Sequence, residues 1–477
     1  MGTTTGRLTA RPSVVRDLLL VAAMTARANV ISVLVLLAVL AAMVVFREWV
    51  PFLWFGLPIT AVPLIIMLAQ RPRLRGHAVR PAEEPELATL VRQVAERLGF
   101  RSPLLLRIVA EPDANVLLTK TAGFRTYTVF VGLPLLRQLS TAELAALLAR
   151  EFAREQHVGD WRTRMLFRAR YSLVESVIDR RFRAPAVLVV RLLRASQARL
   201  WPAALVADAE ATAVAGTQAM RDALTKLGVA AAAFDLLGTT WLEVLGEDGS
   251  YPEDLYEALD AAIDDPHVAA RLTAVANDEN DPMAIEVEPP LGVRLAALPE
   301  HLGYGWDATA PVALRDADAL RRWCVREVTG SAGRRPVRLL DLPPERFEAN
   351  LEDDAAHLMQ VTGQDSAAGA VRAAADAVAD GTWMRLARAL DPETGKVPPP
   401  MRAPASRAAL TWYVGGVISG LLLAAGWTRA SRWTVTVLVD PAGAPLDVEE
   451  LVEQAVDSGD PTRIRELLAD LPERAAR

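Results

Sequence analysis

At 477 residues, with 52% of them apolar and a mean hydropathy of +0.19, the chain is long enough for more than one domain and more apolar than a wholly soluble protein. A net charge of −6 supplies no basic character of the kind nucleic acid selects, so nucleic acid is not an expected partner. The single cysteine, Cys324, excludes both an intrachain disulfide framework and a cysteine zinc site.

Residues 1–27 form an N-terminal segment that leads into two uncharged runs, 28–46 and 49–70. Each is long enough to cross a bilayer as a helix. Only Arg47 and Glu48 separate them, which predicts a transmembrane helical hairpin, and no small-residue cleavage pattern intervenes to suggest a signal peptide. Arg7, Arg11, Arg16 and Arg27 precede the hairpin, and Arg71, Arg73, Arg75 and Arg80 follow it. The positive-inside rule then places both ends in the cytoplasm. The expectation is a multi-pass protein of the cell (inner or plasma) membrane, with the lipid bilayer as a partner and the main domain cytoplasmic.

From Pro81 the composition becomes globular, and the principal domain is expected over 75–325. Glu86 to Leu98 has helical periodicity. Leu104 to Ala110 and Tyr127 to Gly132 read as short strands around the turn-forming Glu111-Pro112-Asp113 and Ala122-Gly123. Ser140-Thr-Ala-Glu143 is a capping box that opens a helix through about His157. Helical stretches follow at 162–200 and 203–228, and proline-rich breaks fall near Glu288-Pro-Pro and Val397 to Pro400. A helical C-terminal region is expected over 326–407, its 364–390 stretch rich in alanine. A third uncharged run, 408–428, has Trp412, Tyr413 and Trp427 near its ends, and reads equally as a third span or a buried helix. The tail, 429–477, reads as a strand from Trp433 to Val439, a turn at Asp440 to Gly443, and a helix from Asp447.

The helix opened by Ser140 carries Arg150-Glu151-Phe152-Ala153-Arg154 after a Leu/Ala stretch, and closes on Gly159-Asp160. With its surroundings, this segment resembles the HtpX-like and CAAX-prenyl-protease-like membrane zinc metallopeptidases. In those enzymes the helix carries His-Glu-x-x-His: two imidazoles on one face bind zinc, and the glutamate is the general base. The resemblance extends over about 20–325. Ala207-Asp208 is similar to the end of the family's Glu-x-x-Ala-Asp helix, and Glu288-Pro-Pro-Leu-Gly-Val-Arg-Leu to its His-Pro-Pro-Leu segment.

The resemblance implies an α+β fold: a mostly helical metallopeptidase-like domain with a small β-sheet, preceded by the membrane hairpin. It also implies a lost metal site. The two histidine positions are Arg150 and Arg154, and the third ligand position is Ala204. A guanidinium stays protonated and a methyl group has no lone pair, so no cofactor is expected, zinc being that of the family. Glu151 stands at the general-base position, but without a metal to acidify water it cannot run the family's hydrolysis. The expectation is a pseudopeptidase that binds an unidentified protein or peptide, with membrane-protein quality control as a setting. The strand Tyr127 to Gly132 is the expected edge for peptide addition. The alternatives are an active zinc metalloendopeptidase with an unorthodox site, built from His157, Glu151 and Asp160 or Asp208, and a purely structural membrane protein.

Two arginines supply the charge of a zinc ion, so Arg150, Glu151, Arg154 and Asp208, with Asp160 nearby, are candidates for an ion-pair network that replaces it. Solvent-facing arginines are the other reading. Between Arg162 and Arg199 ten arginines stand against two acids, Glu175 and Asp179, among apolar residues. That density argues against a membrane crossing. It leaves either a basic amphipathic helix on an anionic leaflet or a solvated helix face.

Overall fold

The computed structural model describes residues 14–28, 74–121, 124–158, 161–178, 186–276, 288–300, 306, 309–343, 348–397, 401–434 and 436–471. Almost all of the expected hairpin, 28–70, and the Ala122-Gly123 turn lie outside these residues, as does Asp160.

In chain order the elements begin with α1 (Val14–Ala28), β1 (His77–Val79), α2 (Pro85–Arg97), β2 (Leu104–Val109), β3 (Ala114–Thr121) and β4 (Phe124–Gly132). There follow α3 (Leu133–Gln138), α4 (Thr141–Val158), α5 (Trp161–Ile178), α6 (Ala186–Ala215), α7 (Thr217–Leu237) and α8 (Glu243–Glu247). The chain continues through β5 (Ser250–Pro252), α9 (Leu255–Ile263), α10 (Pro266–Ala276), α11 (Leu291–Ala297), α12 (Ala317–Thr329) and β6 (Arg335–Val337). The remainder is α13 (Glu348–Thr362), α14 (Ala367–Ala379), α15 (Trp383–Leu390), α16 (Arg402–Ala424), β7 (Thr428–Arg429), β8 (Val437–Val439), β9 (Pro445–Asp447), α17 (Val448–Ser458) and α18 (Thr462–Ala469). The fold is mostly helical with small sheets, hence α+β.

The main sheet has the order β1-β2-β4-β3, with β2 and β4 parallel and the other two pairs antiparallel. This corrects two expectations. Residues 114–121 form a full strand, where only flanking turns were anticipated. The strand containing Tyr127 to Gly132 is interior, bonded on both sides, so it offers no free edge; β3 and β1 are the edges. The reason is local: β3 folds back antiparallel on β4, with Thr121 opposite Phe124, and so occupies the outer side of β4, while Asn115 and Lys120 interrupt an otherwise β-compatible stretch.

That turn packs onto Gly132, whose absent Cβ would lie 2.2 Å from the Glu111 carbonyl oxygen and 2.8 Å from the Asp113 amide. The turn is held there by the Gly132 amide donating to Asp113 O at 2.7 Å.

The capping box at the start of α4 forms on both sides. The Ser140 amide donates to Glu143 Oε2 at 2.8 Å, and the Glu143 amide to Ser140 Oγ at 3.3 Å. Lys226 Nζ on α7 also reaches Glu143, at 2.8 Å, tying the two helices together. The helix α6 runs through Pro202 and ends at Gly216, where φ is +95°. The break therefore falls at the glycine, a backbone only glycine adopts readily, and not at the proline as the sequence suggests. Packing of α6 along α4 offsets the roughly 3 kcal/mol an internal proline costs.

Three apolar clusters result. The largest joins the sheet to α2, α4, α7 and α9 and includes Phe152, Met220, Trp241 and Tyr256. A second holds α13 to α18 around α16, eleven of whose residues are buried. A third is small and joins α1, α5 and α6 through Met24, Leu166, Leu173 and Leu193. Ionic and polar ties link the first two clusters: Arg271 on α10 reaches Asp447 at 3.2 Å and also Glu449, and Arg432 donates to the carbonyls of Leu339, Leu340 and Leu342. Among the described residues two helical runs, 217–247 and α16, have the length and apolar content to cross a membrane.

Candidate functional site: a buried ionic lock

Four parts of the chain meet where α4 packs on α6. The inward face of α4 presents Arg150, Glu151 and Arg154. Asp208 projects from α6, Glu288 from the segment leading into α11, and Arg294 from α11 itself. The capping box fixes the start of α4, so its register toward α6 is set locally. Pro289-Pro290 does the same for α11, with Pro290 as its N-cap.

Arg150 is central. Its Nη1 donates to Glu151 Oε1 at 2.5 Å, its Nε to Asp208 Oδ1 at 3.1 Å, and its Nη2 pairs with Glu288 Oε1. Arg154 spans Glu151 Oε2 at 2.7 Å and Glu288 Oε1 at 2.9 Å, and its Nη2 also donates to Asn115 Oδ1 on β3 at 2.8 Å. Arg294 donates from Nε to Asp208 Oδ2 and from Nη2 to Asp208 Oδ1, each at 2.9 Å, and from Nη1 to Glu288 Oε2 at 2.8 Å. Each of the three carboxylates touches at least two of the three guanidiniums. Arg150, Glu151, Asp208 and Arg294 are buried, while Arg154 and Glu288 close the solvent side, their side chains 21% and 25% exposed.

Three positive and three negative groups make the set neutral, and the electrostatics follow. Burial alone would lower the Arg150 pKa, but Glu288, Glu151 and Asp208 outweigh it and hold the group above its ordinary value. Burial raises the Glu151 pKa, against the pull of Arg154 and Arg150. Burial also works to raise that of Glu288, yet Arg150, Arg294 and Arg154 overcome it and keep this carboxyl well below the usual carboxylate range.

The structure thus brings together Arg150, Glu151, Arg154 and Asp208. Ala204 is buried on α6, one turn before Asp208, and contributes no polar atom. Sequence reasoning missed Arg294 and Asn115 as members, and saw Glu288 only as part of a motif. The spacing of six between Glu288 and Arg294 across Pro-Pro was the available signal. Among the described residues no group of three or more His, Cys, Asp and Glu side chains is arranged to hold a metal ion. Chemically, every carboxylate of the lock is engaged by guanidinium, which leaves ionic cross-linking as what this arrangement does. No family model matches the chain, and no curated protein or solved structure is significantly similar to it.

Proposed function

We propose that this protein is a membrane-anchored relative of the HtpX-like zinc peptidases that has exchanged catalysis for binding. The observation that carries the reading is the neutral six-residue lock, built around the residues that the resemblance equates with the family's two histidines. Arg150 and Arg154 stand in the two histidine positions with their charge consumed by Glu151, Asp208 and Glu288. The lock welds α4, α6 and α11 as a metal would, without a Lewis acid or an activated water.

The hairpin 28–70 anchors the chain in the cell membrane, with the main domain on the cytoplasmic side, as the flanking arginines argue. The partner is a protein or an extended peptide, and membrane-protein quality control is the setting that the resemblance implies for an anchored peptidase-like domain. The accepting edge is β3, which pairs with β4 on one side alone among the described residues and lies beside α4.

Metal analysis by plasma mass spectrometry on the detergent-solubilised full-length protein, after zinc supplementation, tests the reading. Zinc well below one per chain is expected. A stable one-to-one zinc that disappears on replacing His157 or Glu151 overturns it in favour of an active metalloendopeptidase. Capture of extended peptides, lost on replacing Leu117 of β3 by Pro, separates a binding role from a purely structural one.

A further inference from the structure

Among the described residues fifteen large apolar side chains are exposed, and nine of them lie on α1, α5 and α6, the helices of the smallest cluster. The distribution within α1 is the informative part. Asp17, Val21 and Met24 are buried, whereas Val15, Leu18, Leu19, Ala22, Ala23 and Ala26 are exposed, Val15 by 66% and Leu19 by 64%. At about 3.6 residues per turn these six apolar positions form one contiguous open face, bordered by the exposed Arg16 on one side and the exposed Thr25 on the other. A helix whose packed face is held by Val21, Met24 and the buried Asp17, and whose open face is still largely apolar, is not patterned for water alone.

Its neighbours repeat the theme with cations added. On α5 the exposed positions Trp161, Met165 and Arg168 share one face, and Tyr171 is 60% exposed. In the first half of α6 the exposed positions include Leu188, Arg191 and Arg194. The mixture of Trp, Tyr, Leu and Arg is that of helices lying in a headgroup layer. The helix α1 is no span itself, because Asp17 faces Arg199 of α6 at 3.7 Å and pins it to the bundle.

We infer that α1, α5 and the first half of α6 form a platform that lies in the plane of an anionic bilayer, with the open face of α1 seated among acyl chains and the arginines on lipid phosphates. Two observations select lipid as the occupant. The last residue of α1, Ala28, is the first of the uncharged run 28–46, so the chain leaves the platform directly into its anchor. The stretch from Arg162 to Arg199 carries ten arginines against two acids, the charge complement of an anionic leaflet. The inference rests on the anchored reading above and adds to it an orientation: the bundle is held flat against the surface beside the hairpin.

The test uses the full-length protein in vesicles of phosphatidylcholine and phosphatidylglycerol, with a fluorophore on V15C, on L19C, on L37C within the hairpin, or on R322C at an exposed position of α12. The unsubstituted protein reports any labelling of buried Cys324. The platform predicts that the probes at 15 and 19 are quenched by doxyl-labelled lipid and shielded from aqueous iodide, while the probe at 322 shows the reverse. It also predicts that the R191E/R194E double variant weakens the lipid quenching at both α1 positions, as does leaving out phosphatidylglycerol. Lipid quenching at 37 with iodide access at 15 and 19 overturns the platform and leaves the anchor standing. Absence of lipid quenching at 37 as well overturns both. Shielding at 15 and 19 from both quenchers, with cross-links between copies, means that a second chain covers the face and overturns the lipid assignment.

Discussion

Arg294 grips Asp208 with two parallel hydrogen bonds, Nε to Oδ2 and Nη2 to Oδ1, each 2.9 Å long. This fork joins α11 to α6, and Arg150 joins the same carboxylate to α4. Asp208 is therefore the shared anchor of three helices, and most consequences of the lock follow from its having two cationic partners.

Removal of Arg150 leaves Glu151, Asp208 and Glu288 facing only Arg154 and Arg294 in a buried setting. We expect R150A to lose about 3–5 kcal/mol of stability, the range for breaking a buried ion network from one side. R154A, at the solvent-facing end, should lose less, and neither arginine should be replaceable by Lys, which lacks the planar fork. Chemical denaturation of the variants measures this. A midpoint for R154A and R150A equal to that of the parent protein refutes a structural lock.

Restoring the resembled ligand set provides a direct check on the equivalence of positions. The triple variant R150H/R154H/A204E removes two positive charges and introduces two imidazoles and a carboxylate. It should acquire about one zinc per chain, bound through tetrahedral-type N and O ligands. Failure of a folded triple variant to retain zinc through gel filtration would mean that α4 and α6 are not in the family's register.

Two carboxyls should give the stability profile opposite slopes with pH. Glu288 is held below its ordinary value of 4.5, so its contribution is complete above that value and is lost as the pH falls through the folded pKa. E288Q should therefore flatten the acid limb. Asp354 is pushed up to about 6, chiefly by burial and also by Asp353, with His357 opposing. Its contribution is complete below the ordinary 3.8 and is lost as the pH rises through about 6. D354N should consequently gain on the parent protein near pH 8 and not near pH 4, these being about two units either side of the folded value. Thermal melts across that range are the measurement, and a D354N offset that does not change with pH contradicts the assignment.

Gly132 is a test of the sheet's architecture. A methyl group there meets backbone of the Glu111–Asp113 turn, which cannot swing aside as a flexible side chain would. G132A should destabilise the domain by about 1–3 kcal/mol, in the range for overpacking. Tolerance of alanine, with an unchanged denaturation midpoint, would show that the turn does not lie over β4.

What could be read in advance, and what could not, divides along physical lines. Short-range signals carried well: the Ser140–Glu143 capping box places the start of α4 and so the register of Arg150, Glu151 and Arg154. Asp208 was also within reach, because the family resemblance matches Ala207-Asp208 to a helix that faces the Arg150–Arg154 segment. Arg294 was harder to find, since it lies 86 positions from Asp208 and only its spacing of six from Glu288 across Pro-Pro hints at a shared site. The sheet order failed for a related reason. Strand β3 is diluted by Asn115 and Lys120, and Asn115 belongs to the lock, so the residue that weakens the strand pattern is one that serves the site. The end of α6 was misplaced because Pro202 is a louder local breaker than Gly216, whereas packing along α4 decides the matter.

The even count of the lock, three cations against three anions, makes the site resistant to stepwise change. Any one substitution toward a metal ligand at Arg150 or Arg154 strands a carboxylate in a low-dielectric interior before a second histidine is present to share a cation. A route from this lock to a metal site therefore begins uphill, through chains that carry an unpaired buried carboxylate. On this geometry the lock works as a ratchet: with three helices relying on the guanidiniums, single replacements select for keeping them.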